Sequence, residues 1–203
     1  MHNTLHDQLV YWDHVAWFYL NVKWHNAVLD TVMPFVRNQW FWTPLYLFLA
    51  IFMPSHYRKQ GWILCAMFLI TFAISDQVSA SLIKPFFNRV RPCNNETLHG
   101  IVHLLVPCGN GKSFPSSHAS NHFALAWFMS LTLGRMARWV WPAALLWAVL
   151  VCYAQVYVGV HYPLDVFAGG TLGTCVGIGV GMFCNKFTPL PSRRTGASSE
   201  EIA

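Results

Sequence analysis

Apolar residues in this chain gather into long unbroken runs rather than alternating with polar ones. Runs at 62–83, 118–134, 140–158 and 164–187 approach the ~20 residues with which a helix crosses a bilayer, and a shorter fifth run covers 40–53. Trp40, Trp42, Trp62, Trp139 and Trp141 stand at the ends of these runs, where aromatic side chains meet the membrane–water boundary. Before Trp40 the pattern changes. Leu5, Leu9, Trp12, Ala16 and Leu20 recur at helical spacing with His6, Asp7, Asp13 and Asn21 between them. This predicts one or two amphipathic helices over 5–37, lying in the membrane interface. A sixth span starting near 15–20 is the alternative, but Lys23, His25 and Asp30 interrupt it. The expected fold is therefore an all-α membrane protein. It is a bundle of about five transmembrane helices, with six as the alternative, preceded by interfacial amphipathic N-terminal helices. The division is 1–38 interfacial, 39–187 transmembrane and 188–203 a disordered cytoplasmic tail, rich in Ser, Pro, Arg and Glu.

Composition agrees. Hydrophobic residues make up 55% of the chain and charged residues 10%, against about 25% charged in a soluble domain. A net charge of +5 this thinly spread does not make a nucleic-acid surface, so no nucleic-acid partner is expected. The polar stretch 1–13 lacks the early apolar core of a cleavable signal. Arg58 and Lys59, then Arg135 and Arg138, then Lys186, Arg193 and Arg194 fall in connections that share one side of the membrane, which marks that side as cytoplasmic. The long 84–114 connection then faces outward, although it carries Lys84, Arg89, Arg91 and Lys112.

Chemistry explains that outward excess of charge. Three segments meet at the outer helix ends: Lys84 to Arg91 and Pro92, then Pro115-Ser116-Ser117-His118, then Ala154-Gln155 through His161 to Asp165. Lys84 and Arg91 suit phosphate oxygens, the arginine with a bidentate fork. Pro115 suits the first residue of a helix, which places Ser116, Ser117 and His118 in a first turn whose free N–H groups and dipole attract an anion. Pro163 would start another helix, with Asp165 about a turn beyond His161, so a carboxylate can hold one imidazole nitrogen while the other attacks. His118 can protonate a leaving oxygen. Each signal alone is weak, since a lone basic cluster at a helix end is usually a snorkelling anchor. The three together on one face point to phosphoryl transfer.

At these positions the chain resembles the type-2 phosphatidic acid phosphatase (PAP2) superfamily, whose pattern is Lys-x6-Arg-Pro, Pro-Ser-Gly-His and Ser-Arg-x5-His-x3-Asp. Lys84, Arg91 and Pro92 match the first part, Pro115, Ser116 and His118 the second, and His161 and Asp165 the third. Ser117 takes the glycine position, and Ala154-Gln155 replaces Ser-Arg. The resemblance implies that 39–187 is a PAP2-type phosphatase domain with catalytic His161, His118 and Asp165. It implies a phosphohistidine on His161, oriented by Asp165, with His118 as acid and then base. Lys84, Arg91, Ser116, Ser117 and Gln155 would hold the substrate phosphate. It implies no cofactor and no metal. The substrate would be a membrane lipid phosphate or diphosphate: undecaprenyl diphosphate, phosphatidylglycerol phosphate, phosphatidate or a lipid A phosphate. The place would be a bacterial inner membrane, with the site on the periplasmic face. Gln155 carries no charge where the family has a phosphate-binding arginine, and Arg89 and Lys112 are the nearest cations in sequence to make that up. The substitution keeps open a lipid-phosphate binding or transfer protein with a weakened site, or a phosphotransferase using the same residues. Oligomeric state is left open.

Other polar residues have plainer readings. Asp76, two helical turns before Lys84, reads as an interior brace. His122 reads as a core histidine with a local bond, His99 and His103 as loop residues, and the remaining histidines as too scattered for a metal site. Gly169, Gly173, Gly177 and Gly181 mark a close-packing face, by default within the chain. Cys65, Cys152, Cys175 and Cys184 read as core residues, while Cys93 and Cys108 flank the outer loop, where a disulfide would fit an oxidising compartment.

Overall fold

A computed structural model describes residues 4–188. They form six helices with no strand among them: α1 (Leu5–Trp17), α2 (Ala27–Arg37), α3 (Thr43–Asp76), α4 (Ser117–Thr132), α5 (Val140–Tyr157) and α6 (Pro163–Phe187). The protein is an all-helical membrane protein, as the apolar runs predict. Among the described residues, Gln39–Phe86, Val140–Tyr157 and Pro163–Phe187 are long and apolar enough to cross a membrane. The outward faces are apolar too, with Ile51 68% and Phe167 73% exposed, as suits contact with lipid rather than water. The expected tail lies outside the described residues apart from Thr188.

α3 is two legs, 43–57 and 59–76, folded back on each other at Arg58, whose φ of 49° and ψ of −122° leave the helical region. Tyr46 and Phe68 bring their rings to 6.5 Å, and Cys65 meets the sulfur of Met53, so the legs run side by side. The short 40–53 run and the 62–83 run thus join through one sharp turn at the predicted Arg58–Lys59 pair. The second leg continues through a wider π turn (Gln77–Ile83) to Lys84.

α4 is the buried centre, packed against α6, α5 and α3. Ala119, Ala124, Ala126 and Phe128 on α4 are fully buried with Leu64 of α3 and Ala148 and Val151 of α5. The α6 glycine stripe is what lets α4 come so close. A Cβ on Gly173 would stand 2.0 Å from the Ser120 carbonyl oxygen, and one on Gly169 2.3 Å from that of Ser116. The stripe packs within the chain, against α4, and fixes the start of α4 beside the start of α6.

α1 and α2 cap the outer end. Leu5, Leu9 and Trp12 point outward, while Asp13 and Trp17 of α1 turn inward and are buried. Asn21, in the π turn that extends α1 (Phe18–Lys23), donates to the carbonyls of His103 at 2.8 Å and Tyr157 at 2.7 Å. Asn26 caps α2 by accepting from Val28 and Leu29. Between α3 and α4 the outer loop is closed by a disulfide joining Cys93 to Cys108, 15 residues apart.

Candidate active site

The starts of α4 and α6 set the centre. Pro163 opens α6, and the Asp165 carboxylate accepts the Tyr162 backbone N–H at 2.8 Å, closing the helix end over the turn that carries His161. Gly159 permits this turn with φ at 86°. The helix at the second motif starts at Ser117, with Ser116 as its cap, so Pro115 falls just before the helix rather than as its first residue. Ser116 Oγ accepts from Ala119 N–H at 3.4 Å, and Ser116 N–H bonds the Asp165 carbonyl at 3.0 Å, tying the two helix starts together. The amides of Ser117 and His118 are among the leading N–H groups that no intrahelical carbonyl reaches. Ser117 Oγ is buried without a partner among the described residues.

His161 is 2% exposed, and its Nδ1 faces Asp165 Oδ2 at 3.5 Å and Ser113 Oγ at 3.4 Å. Burial holds the imidazole below its ordinary pKa; Asp165 opposes this, and the nearby charges of Arg91 and Lys84 add to it. Lys84 in turn lies within electrostatic reach of Arg91, Asp165 and Asp76. Arg91 is held by its Nε donating to the Gly111 carbonyl at 3.0 Å, just outside the loop that the Cys93–Cys108 disulfide closes. The structure thus gathers Lys84, Arg91, Ser116, Ser117, His118, His161 and Asp165 at one end of the bundle. Gln155, on α5, is fully buried there, and neither its Oε1 nor its Nε2 has a partner among the described residues.

Three contributors are not visible in the motifs. Ser113 Oγ donates to Asp165 Oδ2. Arg89 donates through Nη1 to Asp165 Oδ1 at 2.7 Å, and through Nη2 closely to Asp13 of α1. Asp13 also accepts the Leu164 N–H at 2.7 Å, at the first turn of α6. Burial works against the charge on Arg89, but the two carboxylates outweigh it and hold the guanidinium above its ordinary range. Arg89 is thus engaged behind Asp165, and Lys112 is exposed, so neither cation nearest in sequence stands in for the missing arginine. The only signals for Ser113 and Arg89 are their places one residue before Phe114 and two before Arg91. Asp13 gave none beyond being an acid on an aromatic helix.

A cleft of about 510 Å³ reaches the site from the side of α3. Ser117, His118, Asn121 and Asp76 line its polar end, and Phe68, Leu69 and Phe72 its apolar end. Asp76 accepts from Asn121 Nδ2 at 2.9 Å, so it braces α3 against α4 as expected. His122 bonds the His118 carbonyl at 2.8 Å, the local bond of a core histidine. On the outer face the chain brings together residues that looked scattered. His103 bonds Asp30 at 3.0 Å and stacks on His25 at 4.3 Å, and the ligand-type atoms of His25, Asp30 and His103 lie within 4.8 Å of one another. Asp30 is already engaged there by the Tyr157 hydroxyl at 2.6 Å.

The model of the PAP2 superfamily matches residues 60–188, which hold every motif residue of this site. The chain belongs to the PAP2 superfamily. As a PAP2 protein it is a membrane phosphatase, and its likeness extends beyond the motifs. It is 29% identical over 188 residues to a lipid A 4'-phosphatase of Bacteroides thetaiotaomicron, covering 88% of this chain and 83% of that one. It is 36% identical over 156 residues to an undecaprenyl-diphosphatase of Sulfolobus acidocaldarius, covering 74% and 68%. A solved structure of a transmembrane PAP2-type phosphatidylglycerolphosphate phosphatase from Bacillus subtilis superposes with a TM-score of 0.67 at 26% identity, over 93% of this chain and 91% of that one.

Proposed function

We propose that this PAP2 protein hydrolyses a lipid phosphate or diphosphate through a phosphohistidine on His161, without a metal. The observation that carries the reading is His161 itself: buried, faced at Nδ1 by Asp165, and flanked by the charges of Lys84 and Arg91. His161 Nε2 forms a bond to phosphorus as the bond to the lipid oxygen breaks, and His118 gives that oxygen its proton. His118 then takes a proton from water, whose oxygen displaces His161 and releases phosphate. Lys84, Arg91, the Ser117 hydroxyl, the Gln155 amide and the leading amides of α4 stabilise charge on the equatorial oxygens. Ser116, engaged as the helix cap, acts by fixing those amides. The Nδ1–Asp165 contact of 3.5 Å is longer than a formed hydrogen bond and close enough for the carboxylate to favour one ring orientation.

The substrate reaches His118 through the cleft, whose apolar end along α3 suits a lipid chain. Relatives named for lipid A phosphate, undecaprenyl diphosphate and phosphatidylglycerol phosphate support a substrate of this class. α1 and α2 lie in the membrane interface, with Leu5, Leu9 and Trp12 dipping into lipid. The disulfide of the loop carrying Arg91 supports an oxidising compartment, and so a site on the extracytoplasmic face of the inner membrane.

The test is phosphate release by purified protein from a panel of lipid phosphates in excess EDTA, with vanadate as a mimic of pentacoordinate phosphorus. Wild type turns over and vanadate inhibits; His161→Ala abolishes release. Near-normal turnover by His161→Ala, or loss on chelation restored by a divalent ion, defeats the mechanism. Binding without turnover on every lipid favours a binding or transfer protein instead.

A further inference from the structure

Arg37, the last residue of α2, stands apart from the motifs yet reaches the site. Its Nε is buried with no hydrogen-bond partner, and among the described residues no carboxylate pairs with it. Arg37 is half-buried, and anchoring at a membrane surface would still leave this buried Nε unsatisfied, a cost that an acceptor reaching it would offset. Arg37 lines a cavity of about 490 Å³ together with Asn38, Gln39, Pro107 and His118. Gln39 and His118 also line the apolar cleft, so the two spaces meet at the proposed general acid. Burial lowers the pKa of Arg37, and the charge of Arg91 adds to that effect, as for a cation kept where an anion would relieve it.

The side on which Arg37 stands decides which anion. Arg91 acts on both His161 and His118, whereas Arg37 is among the charges that act on His118 and not among those foremost around His161, and it shares a cavity with His118. His118 protonates the leaving oxygen, so its far side is where the leaving group lies. A lipid monophosphate with no other phosphate, such as farnesyl monophosphate, leaves a neutral alcohol there, which gives a guanidinium no charge to balance. A diphosphate leaves a lipid monophosphate, whose retained phosphate is an anion at that place. Resting on the reaction proposed above, we propose that Arg37 forms a second anion site, which holds the phosphate retained by the leaving group and makes this protein selective for lipid diphosphates over lipid monophosphates. The bond that breaks is then the one between the bridging oxygen and the terminal phosphorus. His118 supplies the proton, and Arg37 stabilises the charge gathering on the departing phosphate.

The test uses the full chain in detergent micelles with a matched pair of substrates, farnesyl diphosphate and farnesyl monophosphate. Arg37→Gln should lower kcat/KM on the diphosphate about 10- to 100-fold, the worth of a charge-assisted hydrogen bond, and leave the monophosphate within about 3-fold. Arg37→Lys should recover part of the loss. Inhibition of the wild type by inorganic pyrophosphate should weaken in Arg37→Lys, while inhibition by inorganic phosphate stays unchanged. An equal loss on both substrates in a folded variant, or no loss on either, overturns the assignment. Wild type inactive on both and insensitive to His161→Ala overturns the underlying reaction, and the Arg37 site with it.

Discussion

Arg89 holds Asp165 from behind, Nη1 to Oδ1 at 2.7 Å, and hands its other nitrogen to Asp13 of the first helix. The carboxylate facing His161 is thus the middle of a chain that runs from α1 through the outer loop to α6. Oδ1 is occupied by Arg89, and Oδ2 by Ser113 and Tyr162 N–H, which leaves the carboxylate little freedom to turn away from the imidazole. Fixed groups around a reacting side chain lower the cost of reaching the transition state.

Asp13→Asn keeps the shape and removes one charge from this chain. It should lower kcat about 10- to 100-fold with little change in KM, the loss of one charge-assisted hydrogen bond. Arg89→Ala leaves two buried carboxylates unpaired and should cost about 3–5 kcal/mol of stability. The two effects should not add in the double variant, because both residues act through Asp165. Steady-state kinetics and thermal unfolding in detergent check this; full additivity would mean that Asp13 serves only to dock α1.

The pH dependence follows from His161. Burial lowers its pKa, so it stays the neutral base below the ordinary ~6.5 of a histidine. The acid limb of kcat/KM should therefore fall below pH ~6.5 rather than at it. Folded protein binds fewer protons here than unfolded protein. The stability tied to this group is thus fully present above ~6.5 and is lost as pH falls from there toward the lowered folded value. His161→Gln should flatten that loss in a thermal-unfolding series across pH 4–8.

The bundle was legible because its helices are long apolar runs and because Pro163, Ser116 and the Trp-marked ends punctuate them. The starts of α4, α5 and α6 lie within one residue of the predicted runs, while the two legs of α3 begin three residues away from theirs. The motif residues could be grouped for the same reason: each sits at a helix end, and topology brings those ends to one face. Side-chain partners were not legible. Arg89 and Asp13 meet across 76 residues, and nothing local distinguishes an arginine that pairs behind Asp165 from one that meets substrate. Arg37 read as the end of an interfacial helix, because its entry into the site depends on how α2 packs on α5. The cluster of His25, Asp30 and His103 stayed hidden for that reason as well.

The disulfide should matter to substrate binding as well as to stability. It ties together the two stretches of chain on which Arg91, just beyond the bridge, is held by Gly111 and Asn94 Nδ2 donates to the Gly109 carbonyl at 3.1 Å. Cys93→Ser/Cys108→Ser, or reduction, should cost about 3 kcal/mol for a loop of 15 residues. KM should rise more than kcat falls, since Arg91 loses its frame while His161 keeps its own. Unfolding midpoints and kinetics with and without reductant measure both effects. An unchanged KM would separate the loop from phosphate binding.

Gln155 gives the sharpest division between an adapted site and a weakened one. It is fully buried, and neither atom of its amide has a partner among the described residues. Leaving a buried amide unpaired costs about 1–3 kcal/mol, a cost that a bound phosphate oxygen would offset by accepting from Nε2. Gln155→Leu, of similar volume, should therefore raise stability by about 1–3 kcal/mol and lower kcat/KM about 10- to 100-fold, effects of opposite sign from one change. A residue that merely packs would lose stability and leave kcat/KM alone. Gln155→Arg restores the family's charge but places it in a fully buried space that holds an amide, with Asp165 already engaged by Arg89. A buried guanidinium without a counterion costs several kcal/mol. The arginine variant should be less stable and no faster on its best substrate. A tenfold gain in kcat/KM for Gln155→Arg would instead identify the natural site as a weakened one.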